Sequence, residues 1–158
     1  MTMTLDEQVA ATESFLSGLL EAIGLDGRIT TERTDDANAN VNIEGEDLGL
    51  LIGPRGQTMN AIQDLARITL QKRAAGSWEG HVHVDVNGYR AKRRAALVTF
   101  VEKVAADVVD SGKPKALEPM PSSDRKIVHD TVNGIDGVHT TSEGHEPRRW
   151  VMIAPDED

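Results

Sequence analysis

Leu48-Gly49-Leu50-Leu51-Ile52-Gly53-Pro54-Arg55-Gly56-Gln57-Thr58-Met59 is the stretch on which the reading of this chain turns. An apolar run is cut by Gly53-Pro54-Arg55-Gly56, and a helical pattern starts at Gln57. Glycine adopts backbone conformations that other residues resist and lets a second backbone come close. Two glycines flanking Pro-Arg, directly before a helix, are expected to leave backbone N–H groups at a positive helix end. Such an end suits an anion, and Arg55 adds positive charge. The competing reading is a plain tight turn between two helices. The local run leaves both open.

Working outward, composition sets limits. The chain has 158 residues, 39% hydrophobic and only 3% aromatic, so its core must be aliphatic. That length suits one medium domain or two small ones. There is no cysteine, which excludes disulfides and Cys-based zinc sites. The start has no basic stretch followed by an apolar run, and no segment approaches the length of a membrane span. The expectation is a cytoplasmic protein. Net charge is −9, but it is unevenly spread: residues 1–52 carry −9, residues 53–100 carry +5 and residues 101–158 carry −5. A basic band therefore begins at the glycine loop, and clustering matters more than total charge for a polyanion site.

Thr4-Leu5-Asp6-Glu7 predicts a capping box opening a first helix. Its apolar stripe is Leu5, Val9, Leu16, Leu19, Leu20 and Ile23. Two strands are expected over Arg28–Asp36 and around Val41–Ile43, then a short helix over Asp47–Ile52 and the loop. A helix over Gln57–Ala74 should bury Met59, Ile62, Leu65, Ala66 and Thr69. His81–Val86 alternates as a half-buried strand, and Asn87-Gly88 ends it. A long helix over Tyr89–Asp110 should bury Leu97, Val101, Val104 and Val108, with Phe100 alongside. An extended Lys115–Met120 follows, then a helix over Asp124–Val132 capped by Pro121-Ser122-Ser123. Val138–Ser142 and Arg149–Ile153 complete the pattern as paired strands, followed by a frayed acidic tail, Pro155–Asp158. The expected class is α+β, with two small α/β sandwich domains over residues 1–88 and 89–158.

Two further clusters stand out. Arg90, Lys92, Arg93 and Arg94 crowd the first turns of the long helix, where cations are disfavoured by the helix dipole. They form either a solvated charge run or a phosphate-contact surface. Arg125 and His129 lie four apart, on one helical face. A hairpin after them contains Pro147-Arg148-Arg149.

The α-β-β-α-α-β order of residues 5–88, with Gly53-Pro54-Arg55-Gly56 between its consecutive helices, resembles a type II KH domain. In that family the loop clamps the backbone of about four single-stranded nucleotides. The α-β-α-β-β order of residues 89–154, with Arg125-x-x-x-His129, resembles the Arg-x-x-x-His domain of single-stranded nucleic-acid-binding proteins. That resemblance implies that Arg125 pairs with phosphate, and that His129 bonds phosphate or orients Arg125. The two domains in this order, with Asp85-Val86-Asn87-Gly88-Tyr89-Arg90 at the join, look like the bacterial Jag (KhpB) family. The family implies cytoplasmic RNA binding, RNA chaperoning or post-transcriptional regulation, a link to cell elongation and peptidoglycan homeostasis, and a small KH-domain partner protein. This sequence reads as a short form without the family's amino-terminal Jag domain. The site residues so implied are Gly53, Pro54, Arg55, Gly56, Gln57, Arg90, Arg93, Arg94, Arg125, His129, Arg148 and Arg149, forming a track for single-stranded RNA.

Other functions find less support. His81-x-His83 places two imidazoles on one strand face, but no third ligand stands at a telling spacing. The loop lacks the Lys-Ser/Thr of a P-loop and the third glycine of a dinucleotide fingerprint. No enzyme, cofactor or metal is expected. A protein-interaction scaffold and a single-stranded DNA binder remain as alternatives. Sparse aromatics, with Trp78, Tyr89 and Trp150 the few candidates, predict little base stacking and weak sequence preference.

Overall fold

The structure is a computed structural model that describes residues 2–157. It is a two-domain α+β fold whose chain divides into two compact units, Arg90 closing the first and Ala91 opening the second. No helix among the described residues is long and apolar enough to cross a membrane.

The first unit opens with α1 (Leu5–Ile23), started by the Thr4/Glu7 capping box and stopped by Gly24 in the left-handed conformation. β1 (Arg28–Arg33) and β2 (Asn38–Glu44) pair antiparallel, with Ile29 opposite Ile43. α2 (Gly49–Ile52), a single 3-10 turn (Pro54–Gly56) and α3 (Gln57–Arg73) then carry the chain back to β3 (His81–Val86). β3 pairs with β2 in parallel, with Val41 opposite Val84. A parallel pair needs such a crossover, and here the crossover is the segment holding the glycine loop.

The sheet is one-sided. Ala39, Val41, Ile43, Val82, Val84 and Val86 are buried and join a core with Leu16, Leu20, Met59, Ile62 and Ala66. Asn40, Asn42, His83 and Asp85 alternate onto the other face. The open edge of β3 is covered by Gln63, whose Nε2 donates to the Val82 carbonyl at 2.9 Å while its Oε1 accepts from the Val84 N–H at 2.6 Å. An edge strand left bare would invite pairing with another chain.

Two helical stripes are rotated from expectation. In α1, Gln8 and Thr12 are buried while Ile23 reaches solvent. Gln8 is satisfied because its Nε2 donates to the carbonyls of Met3 and Glu79. In α3, Leu70 is buried and Leu65 is exposed.

The second unit contains most of α4 (Tyr89–Ser111), then β4 (Lys115–Ala116), α5 (Ser122–Asn133), β5 (Val138–Glu143) and β6 (Trp150–Pro155). Its sheet runs β4-β6-β5, antiparallel throughout. Val101, Ala105 and Val108 of α4 meet Val128 and Val132 of α5, together with Val138, Val151 and Ile153. Phe100 was expected beside this stripe but is 50% exposed, and Ala105 takes the inward position. Pro121 occupies the N-cap of α5, and no side chain caps the helix. The serines therefore lie inside its first turn, not before it. The acidic tail is pinned further than expected, since β6 extends to Pro155 and the Asp156 N–H donates to the Gly137 carbonyl. Asp158 lies outside the described residues.

Candidate nucleic-acid interface

Each unit contributes its own candidate surface. In the first, Gly53 sits at φ 69°, ψ 178°, a conformation essentially confined to glycine. A Cβ there would fall 2.2 Å from the Thr58 Oγ1. Gly56 sits at φ 73° against the Tyr89 ring, which a Cβ would meet at 2.7 Å. Both glycines are thus demanded by the turn, and the turn pushes Pro54 and Arg55 outward into solvent. Arg55 itself is left-handed, at φ 53°, ψ 27°. For a residue with a Cβ that conformation costs about 1 kcal/mol or more. Strain of this kind persists where the surrounding structure enforces it, and it concentrates at ligand clamps.

The backbone donors differ from expectation. The Gly53 N–H goes to the Gly49 carbonyl, Gly56 to Gly53, and Gln57 to Pro54. The turn therefore consumes three of the N–H groups that the sequence left for an anion. What it presents is the exposed Pro54-Arg55 tip and exposed Gln57, at the positive end of the 17-residue α3.

Arg90 is also in the first unit, but its Nε donates to the Val84 carbonyl at 3.0 Å and its N–H to Asp85. His81 and His83 are exposed on β3. Partial burial is the main cause holding the His83 pKa below its ordinary 6.5, followed by the charges of Arg90 and His81. Among the described residues no group of three His, Asp or Glu is placed to hold a metal.

In the second unit, several expected site residues already hold internal partners. Arg93 donates through Nε and Nη2 to the Asp124 carboxylate at 3.1 and 3.0 Å, and Asp124 is buried. Arg125 is 8% exposed. Its Nη1 donates to the Met120 carbonyl at 2.8 Å and its Nη2 to the Glu146 carboxylate at 2.5 Å. The Met120 N–H in turn donates to the Arg149 carbonyl. His129 contacts two hydroxyls of β5, Thr140 through Nδ1 at 2.6 Å and Ser142 through Nε2 at 2.8 Å. Its ring nitrogens are thus engaged with the strand and not with Arg125.

The remaining cations face outward. Arg94 and Arg148 are exposed. Lys126 bonds Asp130 at 2.6 Å, and Asp130 lies in the positive field of Lys126, Arg94 and His129. The Lys126 hydrogen bond is the main cause holding the Asp130 pKa below the usual carboxylate range. Arg149 is half-buried, and its Nε is a buried donor with no hydrogen-bond partner among the described residues.

Sequence reasoning named the cations and missed their partners. Asp124, Glu146, Thr140 and Ser142 decide what Arg93, Arg125 and His129 are available to do. One signal was present: Glu146 is the single acid within the loop segment His145-Glu146-Pro147-Arg148-Arg149.

Comparison with known proteins agrees with this arrangement. Residues 12–85 match the KhpA/KhpB KH-domain family, and residues 95–155 match the Arg-x-x-x-His domain family. The chain is 35% identical over 150 residues to a protein of Bacillus subtilis (strain 168) named RNA-binding protein KhpB, covering 94% of this chain and 71% of that one. A protein of Lactiplantibacillus plantarum with the same name is 41% identical over 118 residues, 73% of this chain and 35% of that one. A third, from Clostridium symbiosum, is 33% identical over 141 residues, 89% of this chain and 63% of that one. The match thus spans about a third of one of these relatives and about two thirds of the other two.

Proposed function

The chain belongs to the KhpB family, and from that premise we propose that it is a cytoplasmic single-stranded RNA-binding protein acting as an RNA chaperone or post-transcriptional regulator. The observation that carries this reading is the Gly53–Gly56 turn. A left-handed, exposed arginine is held out at the positive end of a long helix by two glycines that nothing larger can replace. A turn needed only for connection gains nothing from a strained cation at its tip.

The phosphate contacts rest first on the exposed Arg55, Arg94 and Arg148, with Gln57 and Arg149 beside them. Arg90, Arg93, Arg125 and His129 would have to reshape internal bonds to take part. A role in cell elongation and peptidoglycan homeostasis, and a small KH-domain partner protein, complete the proposal on family grounds. The names of the relatives support binding over catalysis.

Replacing Pro54 and Arg55 together by Asp tests the loop. The pair of changes moves the local charge by three units, each of roughly 1 kcal/mol against a phosphate at about 4 Å in water. The expected loss is about a hundredfold in affinity for a labelled single-stranded RNA at low salt, and less at physiological salt. Binding that survives the double change sinks the reading. A scaffold with an apolar interface would instead show little salt dependence, whereas each phosphate contact should add about −0.7 to the log–log salt slope. Competition by single-stranded DNA of the same sequence separates the RNA reading from the DNA one.

A further inference from the structure

Arg125 is nearly enclosed, yet its partner is not. Glu146 sits in the tip between β5 and β6, and its side chain is 59% exposed while that of Arg125 is 9% exposed. One guanidinium nitrogen, Nη1, is fixed structurally by the Met120 carbonyl. The other, Nη2, is closed only by an acid that reaches in from a solvent-facing loop. The same loop carries exposed His145 and Arg148, and the buried Nε of Arg149, which has no partner among the described residues. Its donors outnumber its one carboxylate.

Resting on the RNA-binding reading above, we propose that Glu146 is a built-in competitor for the strand: its carboxylate occupies the place on Arg125 that a phosphodiester takes on binding. A carboxylate and a phosphate oxygen offer guanidinium the same planar, charge-assisted recognition. A buried arginine without an anion would be costly, so the free protein needs a substitute partner. An exposed side chain on a loop can leave at little cost, because an ion pair open to water contributes little net stability. Displacement of Glu146 then exchanges one anion for another and leaves the Met120 bond intact. This arrangement lowers affinity for isolated phosphates. It favours ligands that also engage the exposed cations of the loop.

The test is Glu146→Gln, which keeps the side chain's size and removes its charge. Affinity for a labelled single-stranded RNA should rise about fivefold, the upper range for an exposed pair. Glu143→Gln is the control, since Glu143 is an exposed acid on β5 just before the same loop, and its carboxylate accepts from the Thr141 hydroxyl. It should change affinity less than twofold, about the limit expected for a general loss of negative charge. In an Arg125→Lys background, the gain from Glu146→Gln should also fall below about twofold, because contacting sites couple. Thermal unfolding confirms that each variant is folded. Equal effects of Glu146→Gln and Glu143→Gln overturn the inference. So does weaker binding by Glu146→Gln, which would make Glu146 a brace that holds the tip. A wild-type chain that binds no RNA removes the underlying reading as well. Wild-type binding with an unresponsive Glu146 removes this inference alone.

Discussion

Adding a single methyl group at Gly53 should damage the first unit far more than its size suggests, while the same change at Gly49, four residues earlier, should strengthen it. Gly53 has φ 69° and ψ 178°, where a residue with a Cβ is strained by roughly 1–3 kcal/mol. The new Cβ would also lie 2.2 Å from the Thr58 Oγ1, 2.9 Å from its Cβ and 3.0 Å from its backbone nitrogen. The hydroxyl can rotate away, but the backbone nitrogen is held by α3. Overpacking of this kind adds roughly 1–3 kcal/mol. Gly53→Ala should therefore cost about 2–5 kcal/mol, a large part of what a unit of this size has to lose. Gly49 opens α2, and a Cβ there meets nothing within 4 Å. Gly49→Ala should stabilise by about 0.5–1 kcal/mol through helix propensity and a less flexible unfolded chain. Each unit has its own core, so hydrogen exchange resolved by peptide is the suitable assay. Protection in β2 and α3 should fall by roughly 30-fold to 3000-fold in Gly53→Ala and rise severalfold in Gly49→Ala. Shifts of the same sign in the two variants would refute the turn geometry on which the loop argument stands.

Two other perturbations probe the remaining contacts. Asp124→Asn should destabilise the second unit by roughly 1–3 kcal/mol, below the full cost of breaking a buried pair because Arg93 is 29% exposed and can rehydrate; urea unfolding followed through Trp150 reads it, and an unchanged midpoint would show the pair to be ornamental. His83 should titrate by NMR with a midpoint below 6.5. Its folded pKa is depressed, so its contribution is present above 6.5 and is lost as pH falls from there through the folded value; His83→Gln should flatten that part of the stability profile, and a midpoint above the ordinary value would reverse the sign.

Legibility in the sequence followed the range of the interactions. The Thr4/Glu7 capping box spans three residues and forms as expected. The alternation of Val82, Val84 and Val86 gives a strand with one buried face. Which helical face turns inward is set by partners far along the chain. Gln8 is buried because the Glu79 carbonyl, 71 residues later, receives its amide. Phe100 is exposed because Ala105 suits the contact with α5 and β6, which no periodicity within α4 encodes. The loop shows both sides of this. Two glycines around Pro-Arg announced a turn, but only the folded backbone shows that three of its N–H groups are consumed internally. Arg125 was legible as a cation on a helix, whereas Glu146 stands 21 residues away, across β5.

The same distinction decides how an acidic chain can hold a polyanion. Net charge of −9 says that the chain as a whole repels nucleic acid, and the basic band over residues 53–100 says that part of it attracts. Neither figure tells which cations are available. A guanidinium that already donates to a buried carboxylate, as Arg93 does, must surrender those bonds before it can serve a phosphate. Its gain on binding is then only the difference between two anions. A solvent-exposed arginine such as Arg94 or Arg148 gives up only water and counterions, and the release of those counterions drives association. Binding strength should therefore follow the uncommitted cations, and the committed ones should matter through the shape they impose. Arg125 stands between the two classes, because one of its partners is a backbone carbonyl that stays and the other is an exposed acid that can leave.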